Sequence, residues 1–136
     1  MKTTALIELG KDGTFGIFTP DLEHHVIIGD GNTVEEAKED FQIGVEEMLA
    51  SYTENGEEIP EELQNLEFEY KYDLPSFFKY CPMINASGFA RYIGMNPTLL
   101  LQYKLGRAYI SEKQLQRIED GIHRLGNMLI EAKFTV

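Results

Sequence analysis

The sequence predicts an α+β chain in two parts, a β-β-β-α-β module over residues 1–74 and an all-helical module over residues 75–136. Three observations carry this. Strand-like alternation of apolar residues appears on both sides of one helical stretch in the first part, and only three- and four-residue steps follow in the second. The formal charge changes sign: residues 1–79 hold 5 Lys/Arg against 19 Asp/Glu, a net −14, and residues 80–136 hold 7 against 4, a net +3. Between them stands Asp73-Leu74-Pro75, a step suited to a boundary.

Thr3 to Leu9 is rich in β-formers and sets Ala5, Ile7 and Leu9 on one face. Lys11-Asp12-Gly13 supplies a turn, and Thr14 to Thr19 returns as a second strand with Phe15 and Ile17 two apart, stopped by Pro20-Asp21. Val26-Ile27-Ile28 reads as a third, short strand closed by Gly29-Asp30-Gly31-Asn32. Thr33 and Glu36 form a capping box for a helix whose apolar stripe is Val34, Ala37, Phe41, Val45, Met48, Leu49 and Tyr52. Glu35, Glu39, Glu46 and Glu47 decorate its other side, and Asn55-Gly56 ends it. After an acidic loop from Glu57 to Asn65, Leu66, Phe68, Tyr70 and Tyr72 alternate with charged residues as a fourth strand. Four helices are then expected: Ser76 to Cys81, Ala86 to Ile93, Pro97 to Leu105, and Glu112 to Ala132, the last capped by Ser111 and Gln114. Along it Leu115, Ile118, Ile122, Leu125 and Leu129 form a seam for another helix, from this chain or from a second copy.

A hydrophobic fraction of 43% suffices for a packed core. The single cysteine, Cys81, excludes an intramolecular disulfide. The opening MKTTALIELGKDG carries a charge and a turn where a secretory signal needs an unbroken apolar stretch, and no run approaches the roughly 18 apolar residues of a membrane span. A cytoplasmic protein without a membrane partner is therefore expected.

The most specific pattern lies in the basic half. Two helices crossing through a tight turn need a small residue at the crossing, a glycine in the turn and apolar residues at a few fixed positions. Ala90 and Gly94 meet the first two needs, and Phe89, Ile93, Met95, Leu100 and Tyr103 meet the third. Asn96 suits the cap of the second helix, Pro97 its first turn, and Gly106 the residue past its end. The stretch SGFARYIGMNPTLLLQYKLGR resembles the phage-repressor type of helix-turn-helix, including the Gly106-Arg107 pair. The resemblance implies a second helix in the major groove of double-stranded operator DNA, with Asn96, Pro97, Thr98 and Gln102 facing the bases. It assigns phosphate contacts to Lys104 and Arg107 foremost, with Arg91 and Tyr92 behind them. Pro97 and Leu101 occupy positions often polar in that family, so base reading rests on Asn96, Thr98 and Gln102. A net +3 predicts weak binding by a monomer, and hence a homodimer or higher homo-oligomer on a two-part site.

The acidic half carries a second resemblance. In FTPDLEHHVIIGDGNTVEEAKED the residues Pro20, Asp21, Leu22, Gly31, Thr33, Glu36 and Ala37 match the HicB family of bacterial antitoxins. That resemblance implies a partial ribonuclease-H-like fold for residues 1–74, with an appended helix-turn-helix and dimerisation domain over residues 75–136. It further implies a small, basic, mRNA-cleaving HicA-type toxin as partner and repression of the chain's own operon. The chain departs from the family at Glu23-His24-His25 and carries one extra residue in the turn Gly29-Asp30-Gly31-Asn32. An acidic module suits a basic partner, and its most concrete surface is Glu35, Glu39, Glu46 and Glu47, with the loop of Glu57, Glu58, Glu61 and Glu62 beside it.

Other chemistries find less support. Asp12 and Asp30 lie in Gly-flanked turns, where aspartate is expected for turn reasons, so Glu8, Asp12, Asp21 and Asp30 do not form the converging carboxylates of a two-metal nuclease. His24 and His25, as neighbours on an extended segment, point to opposite sides, and His123 is distant in sequence. Cys81 reads as a small core residue, and Phe68, Tyr70 and Tyr72 as sheet core. Neither catalytic residues nor a metal or other cofactor is expected. The competing reading is a stand-alone helix-turn-helix regulator whose first module senses a ligand or mediates oligomerisation.

Overall fold

The alternating segments at the start of the chain become strands. In the computed structural model, which describes residues 2–136, β1 (Thr3–Leu9) pairs antiparallel with β2 (Phe15–Phe18), which pairs antiparallel with β3 (Ile28–Gly31). The helix α1 (Val34–Glu54) follows, and β4 (Phe68–Tyr72) then joins parallel to β1, giving the order β3-β2-β1-β4. Helices α2 (Leu74–Tyr80), α3 (Ala86–Ile93), α4 (Pro97–Lys104) and α5 (Glu112–Glu131) complete a mixed α+β chain of four strands and five α-helices among the described residues. The chain divides into two compact units, Met1–Tyr80 and Cys81–Val136. No described helix is long and apolar enough to cross a membrane.

In the first unit, α1 lies on one face of the sheet. Thr33 Oγ1 accepts from Glu36 N at 3.0 Å and the Glu36 carboxylate accepts from Asn32 N at 2.9 Å, which satisfies two orphan donors at the helix start. The expected stripe points inward: Val34, Ala37, Phe41 and Val45 are buried against Ala5, Ile7, Phe15 and Ile17, with Ile27 and Leu63 closing the core. Phe41 meets Phe68 and Tyr70 edge-on at centroid distances of 5.0 and 6.1 Å.

Two expectations need correction. The third strand is not Val26-Ile27-Ile28 but Ile28–Gly31, so the supposed turn Gly29-Asp30-Gly31 is the strand itself. The reason is space: β3 runs directly beneath α1, and a Cβ on Gly31 would stand 2.6 Å from Glu36 Cβ and 2.7 Å from Ala37 N. The division of the chain falls after Tyr80 rather than at residue 74. Asp73 accepts from Ser76 N at 2.7 Å and starts α2, and the Ser76 hydroxyl accepts from Leu9 N at 2.9 Å while donating to Asp73. Tyr80 meets Phe15 edge-on and stacks on Tyr72, so Pro75 opens a helix that belongs to the sheet instead of leaving it.

In the second unit, α3 ends at Gly94, whose φ of 72° is left-handed. The Met95 amide reaches back to Ala90 O at 2.8 Å and the Gly94 amide to Arg91 O at 3.2 Å, the paired bonds of a Schellman end. The helix α4 ends the same way at Gly106, φ 69°, with Arg107 N donating to Gln102 O and Gly106 N to Tyr103 O. α5 packs on α3 at the buried Ile118 and Gly121.

Candidate functional site

The α3–α4 turn is built from residues that act at a distance of a few positions. Asn85 caps α3, accepting from Gly88 N at 2.8 Å, and Asn96 caps α4, accepting from Thr98 N at 2.8 Å and Leu99 N at 3.3 Å. Of the seven positions the motif expectation rests on, Phe89, Ala90, Met95, Leu100 and Tyr103 are buried, Ile93 is half-buried, and Gly94 supplies the left-handed turn. Arg117, from α5, locks the turn from outside. Its guanidinium donates to Ile93 O at 3.1 Å and Gly94 O at 2.9 Å, and to Gln114 Oε1 at 3.0 Å. A cation on the last carbonyls of a helix also meets the negative end of its dipole. Sequence reasoning missed this residue, because no local pattern ties it to carbonyls more than twenty positions away.

With Leu100 and Tyr103 turned inward, α4 and its C-cap Leu105 present Thr98, Leu101, Gln102 and Leu105 outward, spaced by three, one and three. Thr98 is exposed and Gln102 half-buried, while Leu101 and Leu105 are 43% and 45% exposed. Pro97 is half-buried in the first turn. Lys104 is half-buried and Arg107 exposed at the far end, and neither is ion-paired among the described residues. Asn96 is exposed, but its side-chain oxygen serves the cap, which leaves its amide nitrogen as the group available to a ligand. Tyr92 and Arg91 are both exposed, and the Arg124 guanidinium lies over the Tyr92 ring, 5.1 Å from its centre.

No family model, curated protein or solved structure matches the chain. Its residues therefore carry the functional argument alone.

In the acidic unit, Glu35, Glu39, Glu46 and Glu47 are all exposed on α1, with Ile43 the large apolar side chain among them. Glu62 has a different part from the one its loop position suggested. Its carboxylate accepts from Glu23 N, from His24 N at 3.2 Å and from His25 Nδ1 at 2.6 Å, and His25 Nε2 lies 2.7 Å from the Tyr52 hydroxyl. Glu62 thus pins the segment after β2 to the loop that follows α1, and Tyr52 ties His25 to the last turns of α1. His25 is half-buried within this tie, and His24 is exposed. Asp12 likewise serves its own turn, accepting from the Thr14 hydroxyl at 2.7 Å and amide at 3.0 Å. Cys81 is half-buried rather than core, and burial pushes its thiol pKa up. No group of three His, Cys, Asp or Glu among the described residues is placed to hold a metal ion.

The Glu62 tie has a testable pH dependence. The His25 hydrogen bond first, and then the Glu23 and His24 amides, hold the Glu62 carboxyl below its ordinary value. A carboxyl depressed in the folded state stabilises it above the unfolded pKa of about 4.3, and that contribution is lost as pH falls through the lower, folded value. Amide shifts of residues 23–25 are therefore expected to move together with a midpoint below the ordinary carboxyl value, and Glu62→Gln is expected to abolish the shared transition. A transition that survives in the variant would assign it to another group.

Proposed function

We propose that the chain is a non-enzymatic, HicB-like antitoxin of the cytoplasm, with a partial ribonuclease-H-like first unit and a helix-turn-helix second unit. The second unit binds operator DNA through α4 and represses the chain's own operon. The first binds and neutralises a small, basic HicA-type toxin. The observation that carries the reading is the α3–α4 pair: a left-handed Gly94 turn, an Asn96 cap, buried Ala90, Leu100 and Tyr103, and an outward face ending in Lys104 and Arg107. The β-β-β-α-β order of the first unit and its opposite charge support the antitoxin half.

In this reading Gln102 and Thr98 read base edges, Leu101 and Leu105 lie against thymine methyls, and the Asn96 amide nitrogen donates to a base or phosphate acceptor. Lys104 and Arg107 neutralise phosphates and fix register. The dimer that a net charge of +3 calls for forms through the far end of α5, where Met128, Leu129 and Ile130 are exposed while Ile118 is buried within the unit.

The test is a binding titration on the DNA upstream of the gene. Thr98→Ala with Gln102→Ala is expected to weaken binding about 10- to 100-fold and relax base preference. Arg107→Ala is expected to lower affinity on all sequences and reduce the salt slope by about one. Equal loss of toxin binding in the double variant would point to misfolding or a shared surface. A wild-type chain that ignores its upstream DNA would end the repressor reading.

A further inference from the structure

The strand register places one bare glycine between two carboxylates. On the sheet face opposite α1, Glu8 pairs with Gly16 and Gly16 with Asp30; in the next row Leu6 pairs with Phe18 and Phe18 with Ile28. Directly opposed strand residues lie about 5 Å apart, so Glu8 and Asp30 flank Gly16 with their Cα atoms about 10 Å from one another. A Cβ on Gly16 would meet nothing within 4 Å. The result is a shallow groove of about 480 Å³ with Gly16, Phe18, Val26 and Ile28 as its floor and Glu8, Asp30 and Asp40 around it. Ile28 is 67% and Val26 59% exposed, and no described Lys or Arg pairs with the three carboxylates.

We propose that this groove, rather than the glutamate face of α1, is where the basic partner docks: a lysine or arginine lies over Gly16 between Glu8 and Asp30, and an adjacent aliphatic residue covers Phe18 and Ile28. The proposal rests on reading the first unit as the binder of a basic protein. Charge and apolar surface coincide here, whereas on α1 exposed glutamates surround one isoleucine, and exposed ion pairs alone contribute little to binding. The partner does not extend the sheet at β3. That edge is closed by α1, because Asp40 accepts from Asp30 N at 2.9 Å and Ile28 O lies where a Cβ on Gly44 would be 2.8 Å away. Nor does a second acidic unit suit the groove, since two surfaces of net −14 repel.

The experiment titrates the full-length, nitrogen-15-labelled chain with an eight-residue peptide of alternating lysine and valine, and with its glutamate-valine counterpart. The first is expected to move the amides of residues 8, 16, 18, 28 and 30 and to release in high salt; the second is expected to leave them unmoved. Gly16→Val fills the groove at a position with room for it and is expected to weaken peptide binding at least about tenfold with an unchanged amide pattern elsewhere. Glu46→Lys with Glu47→Lys is expected to retain binding. Shifts gathered on α1, equal binding by Gly16→Val, or equal binding of both peptides would overturn the groove. Neutralisation of a neighbouring basic toxin by Gly16→Val as well as by the wild-type chain would overturn it too, leaving the antitoxin reading intact. Failure of the wild-type chain to bind that toxin would strike the antitoxin reading instead, with the groove judged on the peptide alone.

Discussion

Gly29→Ala is expected to cost the first unit about 3 kcal/mol or more, and to leave it largely unfolded at a temperature the wild-type chain tolerates. A methyl group is the smallest addition available, and at most strand positions it is harmless. At Gly29 it would overlap the backbone nitrogen and Cα of Phe41, atoms that no rotamer change can move. Relief requires α1 to lift from β3, and Phe41 is the centre of the core, with its ring edge-on to Phe68 and Tyr70. Lifting the helix therefore opens contacts along the whole sheet. Gly16→Ala provides the control, because the same methyl there meets nothing and restricts the unfolded chain, an effect worth a few tenths to about 1 kcal/mol in its favour. Urea denaturation followed by far-UV circular dichroism measures both. Equal midpoints for the two variants would show that α1 and β3 are not in backbone contact in solution.

The same glycine explains where the sequence could be read and where it misled. Gly29-Asp30-Gly31 reads as a turn because glycine most often signals a left-handed backbone, as it does at Gly13, Gly56, Gly94 and Gly106. Gly29 and Gly31 have no positive φ; they are glycine because a helix lies on them, and that is a fact about a segment not yet reached in the chain. Helix α1 was legible for the opposite reason, since its cap and its stripe from Val34 to Tyr52 are local and periodic. The α3–α4 turn was legible as well, because capping, glycine placement and apolar spacing all fall within about twenty residues. What escaped were ties between distant positions. Ser76 binds Leu9 across 67 positions and moves the division of the chain, Glu62 binds His25 across 37, and Arg117 reaches the α3 end across 24. Each is one polar side chain answering carbonyls, amides or an imidazole that only the fold brings near.

Gly121→Leu is expected to destabilise the second unit by about 3 kcal/mol, and Gly121→Ala by less. Gly121 is buried where α5 crosses α3, and a Cβ there would overlap the Ile93 Cγ2 methyl and stand 3.2 Å from Phe89 Cζ. The obstacle is side chain rather than backbone, but Ile93 is β-branched and helical, which holds its χ1 to one rotamer, so a single methyl already requires α5 to shift against α3. Alanine favours a helix over glycine by about 1 kcal/mol, which offsets part of that strain. Leucine costs more, because its branches would also enter the space of Phe89, itself packed under the turn. The consequence reaches the candidate DNA face: Arg117 lies one turn before Gly121 and holds Ile93 O and Gly94 O only while α5 stays seated. Hydrogen exchange resolved by peptide should therefore show faster exchange across α3, α4 and α5 in Gly121→Leu, with the sheet of the first unit unchanged, and operator binding should fall with it. Protection lost from α5 alone, with α3 and α4 intact, would mean that the turn stands without its arginine and that α5 serves only the seam.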